Sequence, residues 1–121
     1  MVNISEWEQT LFQLILHAGS ARSSAKEAAE LAEAGQWEEA ESALVTANDE
    51  QTQAHKINTT IITRAARGEA VEFSVLLVHA LDLLMLAWAE IDNTEQIIRM
   101  SKRISALETE VKKWHNQVSK K

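Results

Sequence analysis

Residues 75–89, Val-Leu-Leu-Val-His-Ala-Leu-Asp-Leu-Leu-Met-Leu-Ala-Trp-Ala, decide how the rest of this chain must be arranged. As a helix, this stretch is apolar on every face, and a helix of that kind must be covered on all sides. The stretch is too short to span a bilayer, which takes about 20 apolar residues, and an Asp in mid-membrane is costly. The sequence therefore predicts that protein covers this helix.

Two polar side chains, His79 and Asp82, interrupt the apolar stretch. They are three residues apart, which places them on one face of a helix. A buried carboxylate needs a charged partner, a hydrogen bond or a metal ion, and a histidine beside it can act as a nucleophile. His79 and Asp82 are therefore the candidate functional residues. The alternative from the residues alone is a plain helical interaction module in which both are core groups.

The composition favours one all-α domain. The chain has 121 residues with no proline and 45% hydrophobic residues, and no segment alternates strictly between apolar and polar residues. A formal net charge of −6 argues against nucleic acid as the main partner. The absence of cysteine excludes disulfides, thiol catalysis and cysteine-based zinc sites. The first eight residues lack the features of a signal peptide, so we expect a soluble intracellular protein without membrane insertion.

Capping residues and helical periodicity predict the first two helices. The first is expected to begin at Asn3 or Ser5 and to end at Gly35, and the second to cover 36–67 and to end at Gly68. The inward stripe of the first helix comprises Leu11, Leu14, Ile15, Ala18, Ala21, Ala25, Ala28 and Ala32. The inward stripe of the second comprises Trp37, Ala40, Leu44, Ala47, Ala54, Ile61 and Ala65, with Gln51 and Asn58 on the same seam.

Ser74 is the expected N-cap of the third helix. Residues 92–95 are either a break or an exposed turn of a continuous helix, because Asp92 and Glu95 have capping spacing. A heptad seam follows, formed by Ile97, Met100, Ile104, Leu107, Val111, Trp114 and Val118. We expect a three-helix domain over 1–104 and a C-terminal helical extension with this heptad pattern over 105–121.

Short glycine links between long helices predict an antiparallel up-down-up three-helix bundle. Such a bundle leaves each helix one side that faces solvent, but the first half of the third helix has no polar side to present. Association of copies through the third helix would remove this conflict, and self-association is usually symmetric.

Four segments carry a resemblance to a known family. They are Leu-Ile-Leu-His-Ala-Gly-Ser-Ala-Arg-Ser at 14–23, Gly-Gln-Trp-Glu-Glu-Ala at 35–40, Ala-His-Lys at 54–56, and Ser-Val-Leu-Leu-Val-His-Ala at 74–80, the last followed by Asp82 and Leu84-Met85. In this order and spacing, from about residue 8 to residue 104, the chain resembles the enzyme IIA component of the lactose/cellobiose class of the bacterial phosphotransferase system.

The resemblance implies a cytoplasmic phosphocarrier that assembles as a homotrimer of three-helix protomers. His79 matches the histidine that accepts a phosphoryl group from the carrier protein HPr. That histidine passes the group to a cysteine of the cognate IIB component during uptake of a β-glycoside disaccharide through a IIC membrane component. Asp82 matches the aspartate that gathers on the trimer axis around a divalent cation, usually assigned as magnesium.

The chain departs from the family beside these residues. Leu81 and Leu83 stand where the family usually has a glutamine and a second histidine, so two polar neighbours of the phosphorylated ring are predicted to be missing. The alternative function is that of a degenerate family member, a regulatory or scaffolding bundle without phosphoryl transfer. His17, His55 and His115 are expected to be structural or surface residues, because no pair of them has a metal-binding helical spacing.

Overall fold

Three long α-helices make up most of the computed structural model, which describes residues 4–120. Helix α1 covers Glu6–Glu33, α2 covers Trp37–Ala66 and α3 covers Val75–Ser119. No strand is found within residues 4–120. The prediction of an all-helical domain with three helices is therefore confirmed.

Local chemistry sets the ends of α1 and α2. The Ser5 hydroxyl accepts a hydrogen bond from the Glu8 backbone N–H at 3.1 Å, and the Glu8 carboxylate accepts from the Ser5 N–H, which completes a capping box. Ser5 is thus the N-cap, whereas Asn3 lies outside the described residues. Gly35 and Gly68 follow α1 and α2 with φ angles of 78° and 76°, in the left-handed region that only glycine adopts without strain.

Helix α1 is the central packing element of the bundle, because it packs extensively on both other helices while α2 and α3 contact each other less. Its inward side is fully buried at Leu11, Leu14, Ala18, Ala21, Ala25, Ala28 and Ala32. Ile15, also expected on this stripe, is half-buried and packs against the main core cluster. Alanine side chains let the neighbouring backbones approach closely, so the second half of α1 has little room for larger residues.

Two contacts show which end of α1 lies beside which end of α2. The Trp7 ring near the start of α1 lies 5.1 Å from the guanidinium of Arg64 near the end of α2. At the other end, Ala32 and Ala40 share a small core cluster with Ile98 of α3. The start of α1 therefore lies beside the end of α2.

The polar residues of the α2 seam differ in their partners. The Gln51 side-chain amide donates to the Leu84 carbonyl at 3.2 Å, while its buried amide oxygen has no partner within residues 4–120. We expected each of these residues to have a hydrogen-bond partner, but Asn58 is half-buried and no side-chain partner is found for it within residues 4–120. Ala65 was wrongly placed on the inward stripe: it is exposed, because the last turn of α2 leaves the core.

Helix α3 runs without interruption through residues 92–95, so the alternative of a continuous helix is confirmed and the break was wrong. Asp92 and Asn93 are exposed in this turn, whereas Thr94 is buried. Thr94 is 1% exposed, and its hydroxyl donates to the Ala25 carbonyl of α1 at 3.0 Å. This contact holds the segment against α1 and leaves the local capping signal unused. The 45-residue helix is about 68 Å long, compared with about 42 Å for the 28 residues of α1.

The close packing at the buried alanines of α1 can be tested by measuring stability. We expect Ala25→Leu to lower the free energy of unfolding by about 1–3 kcal/mol, because Ala25 is fully buried beside α3 and added methylene groups have no space. Ala65→Leu, at an exposed position of α2, is the matched control and should change it by less than about 0.5 kcal/mol. Urea unfolding followed by circular dichroism measures both, and equal effects would refute the tight packing of α1.

Candidate functional site

Ser74 positions the candidate site by starting α3. Its hydroxyl accepts a hydrogen bond from the Leu77 backbone N–H at 3.1 Å, which confirms the predicted N-cap. His79 lies in the second turn of α3, and Asp82 follows three residues later. The favourable effect of a helix N-terminus on a negative group falls off within the first turn, so the helix dipole contributes little at His79.

Both candidate side chains are exposed in the single chain. The ion pairs found within residues 4–120 involve neither His79 nor Asp82. The hypothesis that these two residues are core groups was therefore wrong for the single chain. The structure leaves an imidazole and a carboxylate accessible on one helix.

The side of α3 around these residues is apolar and uncovered by α1 or α2. Four large hydrophobic side chains are exposed there: Val75 (83%), Val78 (41%), Met85 (61%) and Leu86 (47%). On the other side of the helix, Leu77, Ala80, Leu84 and Ala87 are buried in the core. The chain itself thus covers only half of the apolar stretch that the sequence predicted to be covered on all sides.

We call the uncovered strip centred on Asp82 the Asp82 face. At 3.6 residues per turn, each residue advances by about 100° around the helix. Val75, Val78, Leu86 and Ala89 therefore lie within about 40° of Asp82, and all four are exposed. His79 lies about 60° to one side, at the margin of this face. A protein that covered the Asp82 face would border His79 rather than bury it.

Leu81 and Leu83, the two leucines beside the candidate residues, lie on different sides of α3. Leu83 is four residues after His79 and is its neighbour on the same side of the helix. Leu81 is two residues after His79 and faces another direction, so the prediction that it is a neighbour of the ring was wrong within one chain. Both leucines are half-buried and pack against the main core cluster. Each leucine therefore adds apolar packing that a polar residue at the same position would not provide.

Within residues 4–120, no group of three or more His, Asp or Glu side chains is placed to hold a metal ion. Asp82 supplies one carboxylate to the surface of α3, so a cation there would take its remaining ligands from other copies or from water. In the same part of the chain, no helix has both the length and the apolar character needed to cross a bilayer.

The other histidines have structural or surface positions, as expected. His17 Nδ1 lies 2.7 Å from a carboxylate oxygen of Glu50, and both side chains are partly exposed. The His55 ring lies 5.5 Å from the Trp88 ring. His115 is exposed on the last part of α3. These two pairs join residues 33 positions apart and were not predicted, because no local pattern marks such contacts.

The comparisons with known proteins identify the family. Residues 9–102 match the family described as "PTS system, Lactose/Cellobiose specific IIA subunit". The chain belongs to this family of phosphotransferase components. The lichenan-specific phosphotransferase enzyme IIA component of Bacillus subtilis (strain 168) is 43% identical over 100 residues, which cover 83% of this chain and 91% of the relative. The lactose-specific EIIA component of Lacticaseibacillus casei is 36% identical, over 80% of this chain and 87% of the relative.

Solved structures of IIA proteins share the fold. The PTS cellobiose-specific enzyme IIA from Bacillus anthracis superposes with a TM-score of 0.84 at 41% identity, covering 86% of this chain and 95% of that protein. PtcA from S. mutans superposes with a TM-score of 0.78 at 30% identity, covering 84% of this chain and 99% of that protein. The family match ends at residue 102, well before α3 ends at Ser119.

Measurements of stability can test whether Ser74 has a structural role as the cap of α3 and whether His79 has none. We expect Ser74→Ala to lower the free energy of unfolding by about 1 kcal/mol, because it removes the side-chain cap of α3. His79→Gln should change it by less than about 0.5 kcal/mol, because His79 is exposed and forms no ion pair within residues 4–120. Urea unfolding of both variants provides the measurement, and a destabilised His79→Gln variant would assign His79 a structural role.

Proposed function

We propose that this chain is a cytoplasmic phosphocarrier of sugar uptake, with His79 as the phosphoryl acceptor. The observation that carries the proposal is an exposed imidazole at the margin of an uncovered apolar face, in a chain of the IIA family. A carrier histidine must meet two successive partner proteins, and an exposed position on a rigid helix satisfies that need.

Two transfers define the proposed chemistry. In the first, a ring nitrogen of neutral His79 forms a bond to phosphorus, and the bond from phosphorus to the donor group of HPr breaks with its electron pair staying on the donor. In the second, the thiolate of the IIB cysteine forms a bond to phosphorus, and the electron pair of the P–N bond returns to His79. The imidazole is regenerated, and no oxidant or reductant is needed.

The surroundings of His79 favour transfer over hydrolysis. Phosphoryl transfer depends mainly on positioning and charge stabilisation rather than on covalent chemistry by the protein. Val75 lies four residues before His79 and Leu83 four residues after it, so apolar groups flank the ring along the helix. When a partner docks, these groups exclude water from the phosphorylated ring, while the partner supplies the hydrogen-bond donors that the apolar flanks lack.

The relatives suggest the class of sugar. Their names specify lichenan, lactose and cellobiose as the sugars they serve. We infer that this chain takes part in uptake of a β-glycoside disaccharide, together with HPr, the cognate IIB component and a membrane component. The site of this chain carries a phosphoryl group rather than a sugar, so sugar selection falls to the other components.

The proposed assembly is a homotrimer of antiparallel up-down-up bundles that associate through the Asp82 face. The helix directions are supported by the proximity of Trp7 to Arg64 and of Ala32 to Ala40. Association is supported by the exposed hydrophobic side chains on α3, because contiguous apolar surface of this kind marks interaction sites.

Three Asp82 carboxylates that converge on an axis would repel one another strongly in a low-dielectric interior. A divalent cation with a preference for oxygen ligands, such as Mg²⁺, would neutralise them. Protonated carboxyls that share hydrogen bonds are the competing solution. A cation bound at Asp82 would need carboxylates from several copies, because one chain supplies a single carboxylate at this position.

The second candidate function is a regulatory or scaffolding bundle without phosphoryl transfer. It is favoured by Leu83, the half-buried neighbour of His79 that replaces a polar family residue. A phosphoryl group carries about two negative charges and three acceptor oxygens, so the loss of a nearby donor weakens its stabilisation.

Phosphorylation separates the two functions. We expect incubation with phosphoenolpyruvate, enzyme I and HPr to give an acid-labile phosphate on the wild-type chain, because His79 is exposed to HPr. His79→Gln should abolish the label, whereas His55→Gln and His115→Gln, at exposed positions elsewhere, should retain it. Intact-mass spectrometry and peptide mapping provide the measurement. An unlabelled wild-type chain beside a labelled control IIA protein would select the scaffolding function.

The role of Asp82 is tested by the dependence of assembly on metal. We expect EDTA to raise the protein concentration needed for association about tenfold, and Mg²⁺ to reverse this, because uncompensated carboxylates repel. Asp82→Asn should associate equally well with and without EDTA, because the amide carries no charge. Sedimentation equilibrium measures both. A wild-type chain whose association is insensitive to EDTA would contradict a cation at Asp82.

A further inference from the structure

The last part of α3 is a helix without tertiary cover. We call residues 103–119 the outer segment; every residue in it is exposed. The ion pair between Lys102 and Glu41, at 3.0 Å, links the preceding residue of α3 to α2. Within the outer segment, the one ion pair found joins Lys113 to Glu110 of the same helix. The segment also lies beyond the family match, which ends at residue 102.

An apolar stripe runs along this segment. Its members have between 50% and 65% of their surface exposed and recur at alternating steps of three and four residues: Ile104, Leu107, Val111, Trp114 and Val118. This spacing is the a and d pattern of a coiled coil, with Ile104, Val111 and Val118 at a and Leu107 and Trp114 at d. The segment therefore carries a seam suited to another helix.

The stripe is continuous with the Asp82 face. Asp82, Met100 and Val118 are spaced by 18 residues, which is five full turns of an α-helix, so they lie on one line along α3. Ile104, Leu107, Val111 and Trp114 lie within about 40° of that line. Met100, between the two regions, is 57% exposed. A copy that packs on the Asp82 face in parallel would thus meet the outer segment as well.

The charges beside the stripe indicate the direction of the partner helix. In this register Arg103 and Glu110 occupy g positions, and Glu108 and His115 occupy e positions. In a parallel, in-register coiled coil, each g residue faces the next e residue of the neighbouring helix. Arg103 would then face Glu108 of a copy, and Glu110 would face His115. Both combinations favour attraction, the second when the imidazole is protonated or donates a hydrogen bond.

The packing that supports a helix is also lacking here. Most helical stability in proteins comes from packing of an apolar side. The outer segment is exposed along its whole length, so it receives little such packing from α1 or α2. Pairing with the same segment of another copy supplies it and removes the apolar stripe from water.

We propose that the outer segment forms a parallel, in-register coiled coil with the outer segments of other copies of this chain. This inference deepens the self-association included in the proposed function, and it requires no phosphoryl transfer. Ile or Val at a with Leu at d is typical of two strands, but Trp114 departs from that pattern. The residues of the stripe alone do not fix the number of helices in the coiled coil. In this proposal, that number equals the number of copies that associate through the Asp82 face.

The seam is tested in the full chain by Leu107→Gln combined with Val111→Gln. We expect the protein concentration needed for association to rise at least about tenfold, because the a and d contacts are lost. The matched control is Thr109→Gln combined with Asn116→Gln, on the opposite side of the segment, which should leave association unchanged. Sedimentation equilibrium over a concentration series measures association, and circular dichroism checks that each variant stays helical.

Charge reversal tests the parallel register. Arg103→Glu and Glu108→Arg should each weaken association, and the double variant should restore it to within about twofold of wild type. Residues five apart do not face each other on one helix, so recovery reports contact between copies. No recovery in the double variant would overturn the parallel, in-register arrangement.

The outcomes separate this inference from the proposed function. Seam variants that associate like wild type would overturn the coiled coil, whatever the phosphorylation assay shows. Weakened association in the seam variants supports the coiled coil even if His79 takes no label. Seam variants that weaken association yet still accept phosphate on His79 would show that the segment serves assembly and not chemistry.

Discussion

The uncovered apolar side of α3 is the constraint on which the other features of this protein depend. The fully buried alanine stripe of α1 brings α3 close and buries one side of it. A three-helix bundle in which α2 and α3 touch only lightly leaves the opposite side bare. That bare side carries Asp82 at its centre, has His79 at its margin and continues into the outer segment. Folding of one chain therefore leaves an apolar surface that only another protein can cover.

In the proposed function, His79 would have to meet two needs that conflict. It would have to be accessible to partner proteins, and its phosphorylated form would have to be shielded from water during transfer. A residue about 60° from the centre of the Asp82 face satisfies both, because cover over the face leaves the ring accessible at its border. Leu83 adds apolar surface beside the His79 ring and also packs against the core. A substitution at Leu83 would therefore change both the surroundings of the ring and the stability of the fold.

Local chemistry made much of the fold predictable from the sequence. Ser5 with Glu8, Ser74, Gly35 and Gly68 mark helix ends through interactions between residues at most five apart, and the structure has those ends. Local spacing left the continuity of α3 through residues 92–95 open, and the contact found there joins the Thr94 hydroxyl to a carbonyl 69 residues away.

The candidate site was only partly predictable for a similar reason. The spacing of His79 and Asp82 correctly put them on one side of a helix, but spacing alone does not reveal which sides of that helix the rest of the chain covers. The sequence predicted that protein covers this helix, and a single chain leaves both residues exposed. The positions of Leu81 and Leu83 show the same limit: adjacency in a motif suggested two neighbours of the ring, and helix geometry leaves one.

The strip of α3 between the Asp82 face and the outer segment carries two polar residues. Asn93 and Gln96 are exposed and lie within about 40° of the line through Asp82 and Met100. Polar residues on a helix seam lower stability but fix the register of the strands. The steps from Asn93 to Gln96, Met100 and Ile104 sum to eleven residues, and such a step locally unwinds a left-handed supercoil. Copies that share this seam would therefore run nearly straight here, which keeps the outer segments aligned with the Asp82 residues.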